Sequence, residues 1–272
     1  MLFSTIIMNS ISNIKSLIID MDGVLWRDTS PIGDLPSIFA CIRERGLRFV
    51  MATNNSTSTV DEFLDKFRKY GVELEPWQIV TSSLAAVQKL AIDFPGSGTI
   101  FVVGENGLRK EMTKNGFTVI TDPLDESPVI AVIVGFDREV TYAKLRRASL
   151  NIRAGAAFYG TNPDKTFPTP LGLIPGAGAI LAAIEAATDA KPIVIGKPFP
   201  FLMHMSLERL GTKPEESLVV GDRLETDIVA GKAAKCKTAL VLSGVTTQEQ
   251  VDAWVDKPSM VAENLSALIE QL

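Results

Sequence analysis

Histidine is nearly absent from this 272-residue chain: His204 is the only one. That excludes His-rich zinc sites and HExxH metalloproteases, and any Ser-His-Asp triad would have to run through His204. His204 sits mid-pattern in Phe201-Leu-Met-His-Met-Ser-Leu, a run read most simply as helix. Cysteine is almost as scarce. Cys41 and Cys236 lie far apart and form no CxxC pair. No disulfide framework is expected, both side chains read as small buried ones, and a reducing cytoplasm is the simplest compartment. Positive charge is not in excess either. The 27 Lys and Arg face 32 Asp and Glu, for a net charge of −5, and no basic stripe is present. A nucleic-acid partner is therefore not expected. No stretch approaches the roughly 20 apolar residues needed to span a bilayer, so no membrane partner is expected. The N-terminal Met1-Leu-Phe-Ser-Thr-Ile-Ile-Met lacks a basic segment, and its apolar run is too short for a signal peptide. It reads as a short tail or an extended start, with Met8 as an alternative initiator.

What is present is an ordinary globular balance, 46% hydrophobic and 22% charged. The length suits one large domain or two modest ones. Short apolar runs alternate with longer amphipathic segments, the βαβ signature of an α/β fold built on a mostly parallel sheet. Four of those runs end in unusual polar residues. Leu17-Ile-Ile leads into Asp20-Met-Asp22-Gly23, and Phe49-Val-Met-Ala into Thr53-Asn54-Asn55. Pro192-Ile-Val-Ile-Gly leads into Lys197-Pro, and Leu218-Val-Val-Gly into Asp222-Arg. In a doubly wound sheet, ligands bind outside the carboxyl ends of the strands. Four strands carrying Asp, Thr, Lys and Asp to one edge describe a site.

Spacing divides the chain. Asp20 to Thr53 is 33 residues, Thr53 to Lys197 is 144, and Lys197 to Asp222 is 25. A strand–helix–strand step takes roughly 30 residues, so the outer intervals fit single steps and the middle one does not. The expected organisation is a Rossmann-like core formed by 1–80 and 192–272, with a smaller α/β domain inserted at 81–191. The insert has its own strands at 99–104, 129–135 and 157–160 and helices at 108–114 and 142–152. A helix opening at Gly176-Ala-Gly-Ala then leads back to a core strand at Ile193. That Gly-Ala-Gly run lacks the third glycine of a dinucleotide fingerprint, so it reads as a tight turn into a helix.

Asp20, Asp22, Asp222 and Asp227 form the chemical core of the reading. Carboxylates gathered at strand ends repel one another and lose hydration, so the group needs a cation. Oxygen ligands without histidine or thiolate point to a hard ion, Mg²⁺ first. Lys197 and the Thr53 hydroxyl could hold phosphate oxygens, and a carboxylate could accept the phosphoryl group. Taken one at a time, the motifs have bland explanations: Asp-Gly is a common turn, Lys197 could be a solvated strand end, and Asp227 could be a first-turn acid.

Together, Asp20-Met-Asp22-Gly-Val, Thr53, Lys197 and Gly221-Asp222-Arg-Leu-Glu-Thr-Asp227 resemble the haloacid dehalogenase superfamily. Ala52-Thr-Asn-Asn-Ser56, Gly160-Thr-Asn-Pro-Asp164 and Pro175-Gly-Ala-Gly-Ala look like its branch of NagD-type and p-nitrophenyl phosphatases. That branch inserts a C2-type α/β cap between the Thr and Lys motifs. The resemblance implies a phosphatase acting on small phosphate monoesters: sugar phosphates, nucleotides, phosphoglycolate or similar. It makes Asp20 the nucleophile, Asp22 the acid and then the base, and Thr53, Asn54, Asn55 and Gly23 the phosphate-binding residues. It gives Lys197 the task of offsetting charge. Mg²⁺ would be held by Asp20, the Asp22 carbonyl and Asp222. Asp227 would support the ion's water shell or Lys197, with direct ligation left open. Asn162 and Asp164 would be a cap loop reaching the substrate, and Trp26 would line the leaving-group pocket or pack. The branch also allows a homodimer through the cap. Other outcomes for the same fold are a silent phosphometabolite-binding protein and a phosphotransferase.

Overall fold

The computed structural model describes residues 13–169 and 171–272; the choice between Met1 and Met8 as the start lies outside them. The chain opens with β1 (Ser16–Ile19), a short hairpin of β2 (Trp26–Arg27) and β3 (Ser30–Pro31), helix α1 (Leu35–Glu44) and strand β4 (Arg48–Thr53). Helix α1 buries Leu35, Ile38, Phe39 and Ile42, one stripe at helical spacing, and carries a proline in its first turn. Then come α2 (Val60–Lys69), β5 (Ile79–Thr81), α3 (Ser82–Asp93), β6 (Thr99–Val103), α4 (Asn106–Lys114) and β7 (Thr118–Ile120). These are followed by β8 (Ala131–Val134), α5 (Tyr142–Arg153), β9 (Ala157–Gly160), the hairpin β10 (Thr166–Thr169) and β11 (Gly172–Pro175), α6 (Ala177–Thr188) and β12 (Ile193–Val194). The chain ends with α7 (Phe201–Leu210), β13 (Ser217–Gly221), α8 (Val229–Ala233), β14 (Lys237–Val241), α9 (Gln248–Ala253), β15 (Met260–Ala262) and α10 (Leu265–Glu270).

The structure is an α/β fold with two compact units. Among the described residues, the first takes in 13–53, Phe63–Val80 and Lys197–Leu272; the second takes in Asn54–Glu62 and Thr81–Gly196. The first unit is built on the sheet β15-β14-β13-β1-β4-β5. β1 pairs in parallel with β4 on one side and β13 on the other. All four β1 residues and all five of β13 are buried, as expected of strands covered on both faces. Strand order reverses at β1: the chain moves outward to β4 and later returns on the other side as β13. This is the topological switch point of a Rossmann-like sheet, where the strand ends leave an open crevice.

The second unit has its own parallel sheet, β12-β9-β8-β6-β7. Phe101, Val103, Val132, Val134 and Phe158 from its strands pack with Ile180, Leu181 and Ile184 of α6. Helix α5 is capped by Thr141, whose side chain accepts from the Lys144 amide at 3.2 Å.

One strand differs from the sequence reading. Ile193 and Val194 do not return to the first sheet; they pair with Tyr159 and Gly160 of β9. The pairing runs on through Ile195 N–H to Gly160 O (3.0 Å) and Gly196 N–H to Thr161 O (2.9 Å). The reason is topological: α6 follows β9 and delivers the next parallel strand beside it, closing an ordinary βαβ step. Residues 192–196 therefore belong to the second unit, and Lys197 is the first residue after it.

Candidate active site

Two buried strands of the first unit place the acids. Asp20 follows β1 directly, and its amide donates to Val220 O at 2.8 Å, so the strand ladder fixes it against β13. Asp222 follows β13 and is 1% exposed. The chain then makes a π-helical turn over Leu224–Ile228 that runs into α8, an irregularity found frequently at functional sites. Asp227 in that turn folds back so that its Oδ2 accepts from the Arg223 amide at 3.1 Å.

Lys197 ties these elements together. Its Nζ donates to Asp20 Oδ1 at 2.7 Å, to Asp227 Oδ1 at 2.6 Å and to the Ala52 carbonyl at 3.1 Å. Its side chain is 3% exposed. Burial opposes the ammonium charge, but Asp20 and Asp227 outweigh it and hold Lys197 above its ordinary pKa. Burial also raises the Asp20 carboxyl well above the usual carboxylate range; Lys197 pulls it down, and Asp227 and Asp222 push it up.

Asp222 is the least compensated member. Its Oδ2 accepts from the Val245 amide at 2.8 Å, while its Oδ1 is buried without a hydrogen-bond partner among the described residues. Burial first, and Asp227 second, push it up to about 7. Its carboxylate lies in a cradle of two glycines. A Cβ on Gly23 would fall 2.4 Å from Asp222 Oδ2, and one on Gly244 would fall 1.9 Å from it. Gly23 also has φ +83°, which favours glycine.

Asp20, Asp222 and Asp227 each offer a carboxylate oxygen, all within 4.8 Å of one another. An orphaned buried acceptor, raised carboxyl pKa values and an all-oxygen donor set fit a hard metal cation.

The remaining predicted residues fall as follows. Asp22 is exposed, and its Oδ1 accepts from the Trp26 indole N–H at 2.9 Å. Thr53 is buried at the end of β4. Asn55 organises a turn, its Oδ1 accepting from the Thr57 amide at 2.8 Å and the Thr57 hydroxyl at 2.9 Å. Within the second unit, Asn54 O accepts from Asn162 Nδ2 (2.9 Å) and from the Ser82 hydroxyl (2.7 Å). Asn54 Nδ2 donates to Asp164 Oδ2 at 3.3 Å. Asn162 is 5% exposed, so its amide is used to hold Asn54, the residue after Thr53. His204 is exposed on α7.

Residues 17–118 match the family model described as haloacid dehalogenase-like hydrolase, and residues 194–268 match a second model of HAD-hydrolase-like proteins. The chain is 34% identical to 5'-nucleotidase YutF of Bacillus subtilis, over 94% of this chain and 97% of that protein.

The chain belongs to the haloacid dehalogenase-like hydrolase family.

Solved members of this family share the fold along nearly its whole length. The 4-nitrophenylphosphatase of Thermotoga maritima matches with a TM-score of 0.88 and 34% identity, over 96% of this chain and 98% of that one. NagD from E. coli K-12 matches with a TM-score of 0.84 and 32% identity, over 93% and 98%. This haloacid dehalogenase-like hydrolase is thus an enzyme of the phosphatase kind, in the NagD and p-nitrophenyl phosphatase branch. Sequence reasoning missed three parts of its site: the Ser243-Gly244-Val245 loop that holds Asp222, the Ala52 carbonyl on Lys197, and the Trp26 bond to Asp22. Only the first had a usable signal, since Ala239-Leu-Val-Leu is another apolar run ending in a polar residue and a glycine.

Proposed function

We propose that this enzyme is a Mg²⁺-dependent phosphatase that hydrolyses small phosphate monoesters through an aspartyl phosphate on Asp20. The carrying observation is the three-carboxylate group with Lys197 bonded to two of its members. In this reading the Asp20 carboxylate attacks phosphorus, forming an Asp20–phosphate bond as the ester P–O bond breaks. The departing alkoxide takes a proton from Asp22. Water then attacks the same phosphorus and gives its proton to Asp22, and the Asp20–phosphate bond breaks to release inorganic phosphate.

Lys197 sits where it offsets the charge of Asp20 and of an incoming phosphate. Thr53, Asn54, Asn55 and Gly23 would orient the phosphoryl group, with Asn162 and Asp164 supporting Asn54. Asp20, the Asp22 carbonyl and Asp222 would hold Mg²⁺, which when bound neutralises phosphate charge. Asp222 Oδ1 is the natural ligand atom because it has no other partner among the described residues. Both Asp227 oxygens already accept, from Lys197 and from the Arg223 amide, so Asp227 acts through Lys197.

The leaving group is open to a broad range. The relatives include one named for nucleotides and one for a nitrophenyl ester, at the same 34% identity. The test is hydrolysis of p-nitrophenyl phosphate with and without Mg²⁺ in the wild type and in Asp20→Asn. A loss of roughly 10⁴-fold or more is expected in the variant, since the nucleophile itself is removed. Undiminished turnover would sink the assignment, and metal-independent turnover would sink its Mg²⁺ part. Ranking sugar phosphates, nucleoside monophosphates and phosphoglycolate by kcat/KM then sets the substrate class.

A further inference from the structure

Asp22 carries the proton in the reaction proposed above, yet it lies exposed in a turn, where a carboxylate would ordinarily rotate freely. One contact prevents that. The turn Met21–Trp26 is closed by Leu25 N–H to Met21 O (2.8 Å) and Gly23 N–H to Trp26 O (2.8 Å), which brings the indole of Trp26 under Asp22. Trp26 Nε1 donates to Asp22 Oδ1 at 2.9 Å.

The indole cannot follow a moving carboxylate. Trp26 is fully buried. Phe67 meets it edge-on at 5.1 Å, Tyr70 lies 5.9 Å away, and the Lys66 ammonium sits 3.9 Å from the ring centroid. Lys66 is itself held by the Asp28 carbonyl at 3.1 Å, and Tyr70 by the Thr29 carbonyl at 2.6 Å. A cation over the ring face also draws electron density from the indole and strengthens its N–H as a donor.

An indole nitrogen only donates, so the oxygen it holds must present a lone pair whether or not the carboxyl is protonated. We propose that Trp26 is a positioning residue that fixes Asp22 Oδ1 as the permanent acceptor and so reserves Asp22 Oδ2 as the oxygen that gives and takes the catalytic proton. The inference rests on the reading of Asp22 as acid and base. In balance, Oδ2–H passes its proton to the alkoxide as the ester P–O bond breaks, and Oδ2 recovers one from the water that attacks the aspartyl phosphate. Oδ1 never changes hands.

The test uses substituted phenyl phosphates whose leaving groups range from 4-nitrophenol to the far more basic 4-methoxyphenol. The readout is kcat/KM, which reports transfer to Asp20. A good leaving group departs with little help from an acid, whereas a poor one needs it. Trp26→Phe should therefore lower kcat/KM for the 4-methoxy ester about tenfold more than for the 4-nitro ester, a part of the roughly 10²–10⁴-fold that general acids supply. Benzothienylalanine placed at position 26 keeps the ring shape and removes only the N–H; it should reproduce the altered ratio even where Trp26→Phe folds poorly. Phe67→Leu loosens the ring's packing but keeps the N–H, and should lower Tm and shift the ratio by less than the Trp26 variants do, since the bond is loosened rather than removed. An unchanged ratio in both Trp26 variants, alongside a changed one in Asp22→Asn, would overturn the positioning role and leave the Asp22 reading standing. An unchanged ratio in Asp22→Asn would overturn both. A Phe67→Leu ratio matching that of the Trp26 variants would also overturn the inference, by assigning the effect to packing.

Discussion

A single methyl group added at Gly244 should detach the proposed metal site from the fold. The Cβ of an alanine there would lie 1.9 Å from Asp222 Oδ2 and 2.4 Å from its Cβ and Cγ. No non-bonded atoms tolerate such distances; the carboxylate can rotate away, but Asp222 Cβ is fixed by its backbone, so the loop at Gly244 must shift as well. Displacing the carboxylate breaks the 2.8 Å bond from the Val245 amide and carries it away from Asp20 and Asp227. A hydrogen bond to a charged group contributes roughly 1.5–3 kcal/mol. At about 1.4 kcal/mol per factor of ten, that is roughly a ten- to hundredfold loss of Mg²⁺ affinity. The assay is the Mg²⁺ dependence of p-nitrophenyl phosphate hydrolysis for Gly244→Ala and wild type, with Tm measured for both without metal. The expected result is a half-saturating Mg²⁺ concentration raised by that factor, together with a lower metal-free Tm, because the approach to Asp222 Cβ displaces the loop as well as the carboxylate. An unchanged Mg²⁺ requirement would refute the reasoning, since it would mean that Asp222 can leave its cradle without affecting the ion.

Two further perturbations probe the same charges. Burial first, and Asp227 second, push the Asp222 carboxyl up to about 7 in the folded protein, above its unfolded value, so the metal-free protein is favoured at low pH and loses that contribution as pH rises through about 7. Mg²⁺ must displace that proton, so the Tm increase from a fixed Mg²⁺ concentration should be larger at pH 8 than at pH 5.5; an equal increase at both would exclude Asp222 as a ligand. Lys197→Met removes the buried cation that Asp20 and Asp227 share, and breaking a buried pair costs about 3–5 kcal/mol. Urea unfolding should show most of that loss at pH 8 and less at pH 5.5, where the stranded carboxyls can protonate, and turnover should be abolished at both.

How far the sequence reveals these features depends on what each residue does. Asp20 and Asp222 are legible because they end β1 and β13, strands so buried that their apolar runs stop abruptly at the first polar residue. Lys197 looks the same by pattern, yet it follows an edge strand of the other sheet, where Ile193 is half exposed. An apolar run shows that a strand exists but not which sheet it joins; the crossover from β9 through α6 decides that. The Gly244 cradle and the Trp26 contact are invisible for another reason. Each depends on backbone and side-chain direction in a turn, with no period to repeat, and Gly244 meets Asp222 from 22 positions further along the chain. The π-helical turn at Leu224–Ile228 has no signature either, although it is what turns Asp227 toward Lys197.

The charges explain why this site needs both of its proposed cations. Asp20, Asp222 and Asp227 bring three negative charges to one crevice, and Lys197 supplies one positive, leaving a formal −2. Lys197 spends its donors on Asp20, Asp227 and the Ala52 carbonyl, and the carboxyl left out is Asp222, the one pushed up to about 7. A second lysine could cancel only one further charge, and it would offer an incoming phosphate a point contact rather than a shared ligand. A divalent ion held by Asp222 would cancel both and could also bind a phosphate oxygen. The division then has a kinetic consequence. Lys197 is buried and fixed by three acceptors, so in the proposed mechanism an exchangeable divalent ion would be the part of the site through which metal concentration sets the rate.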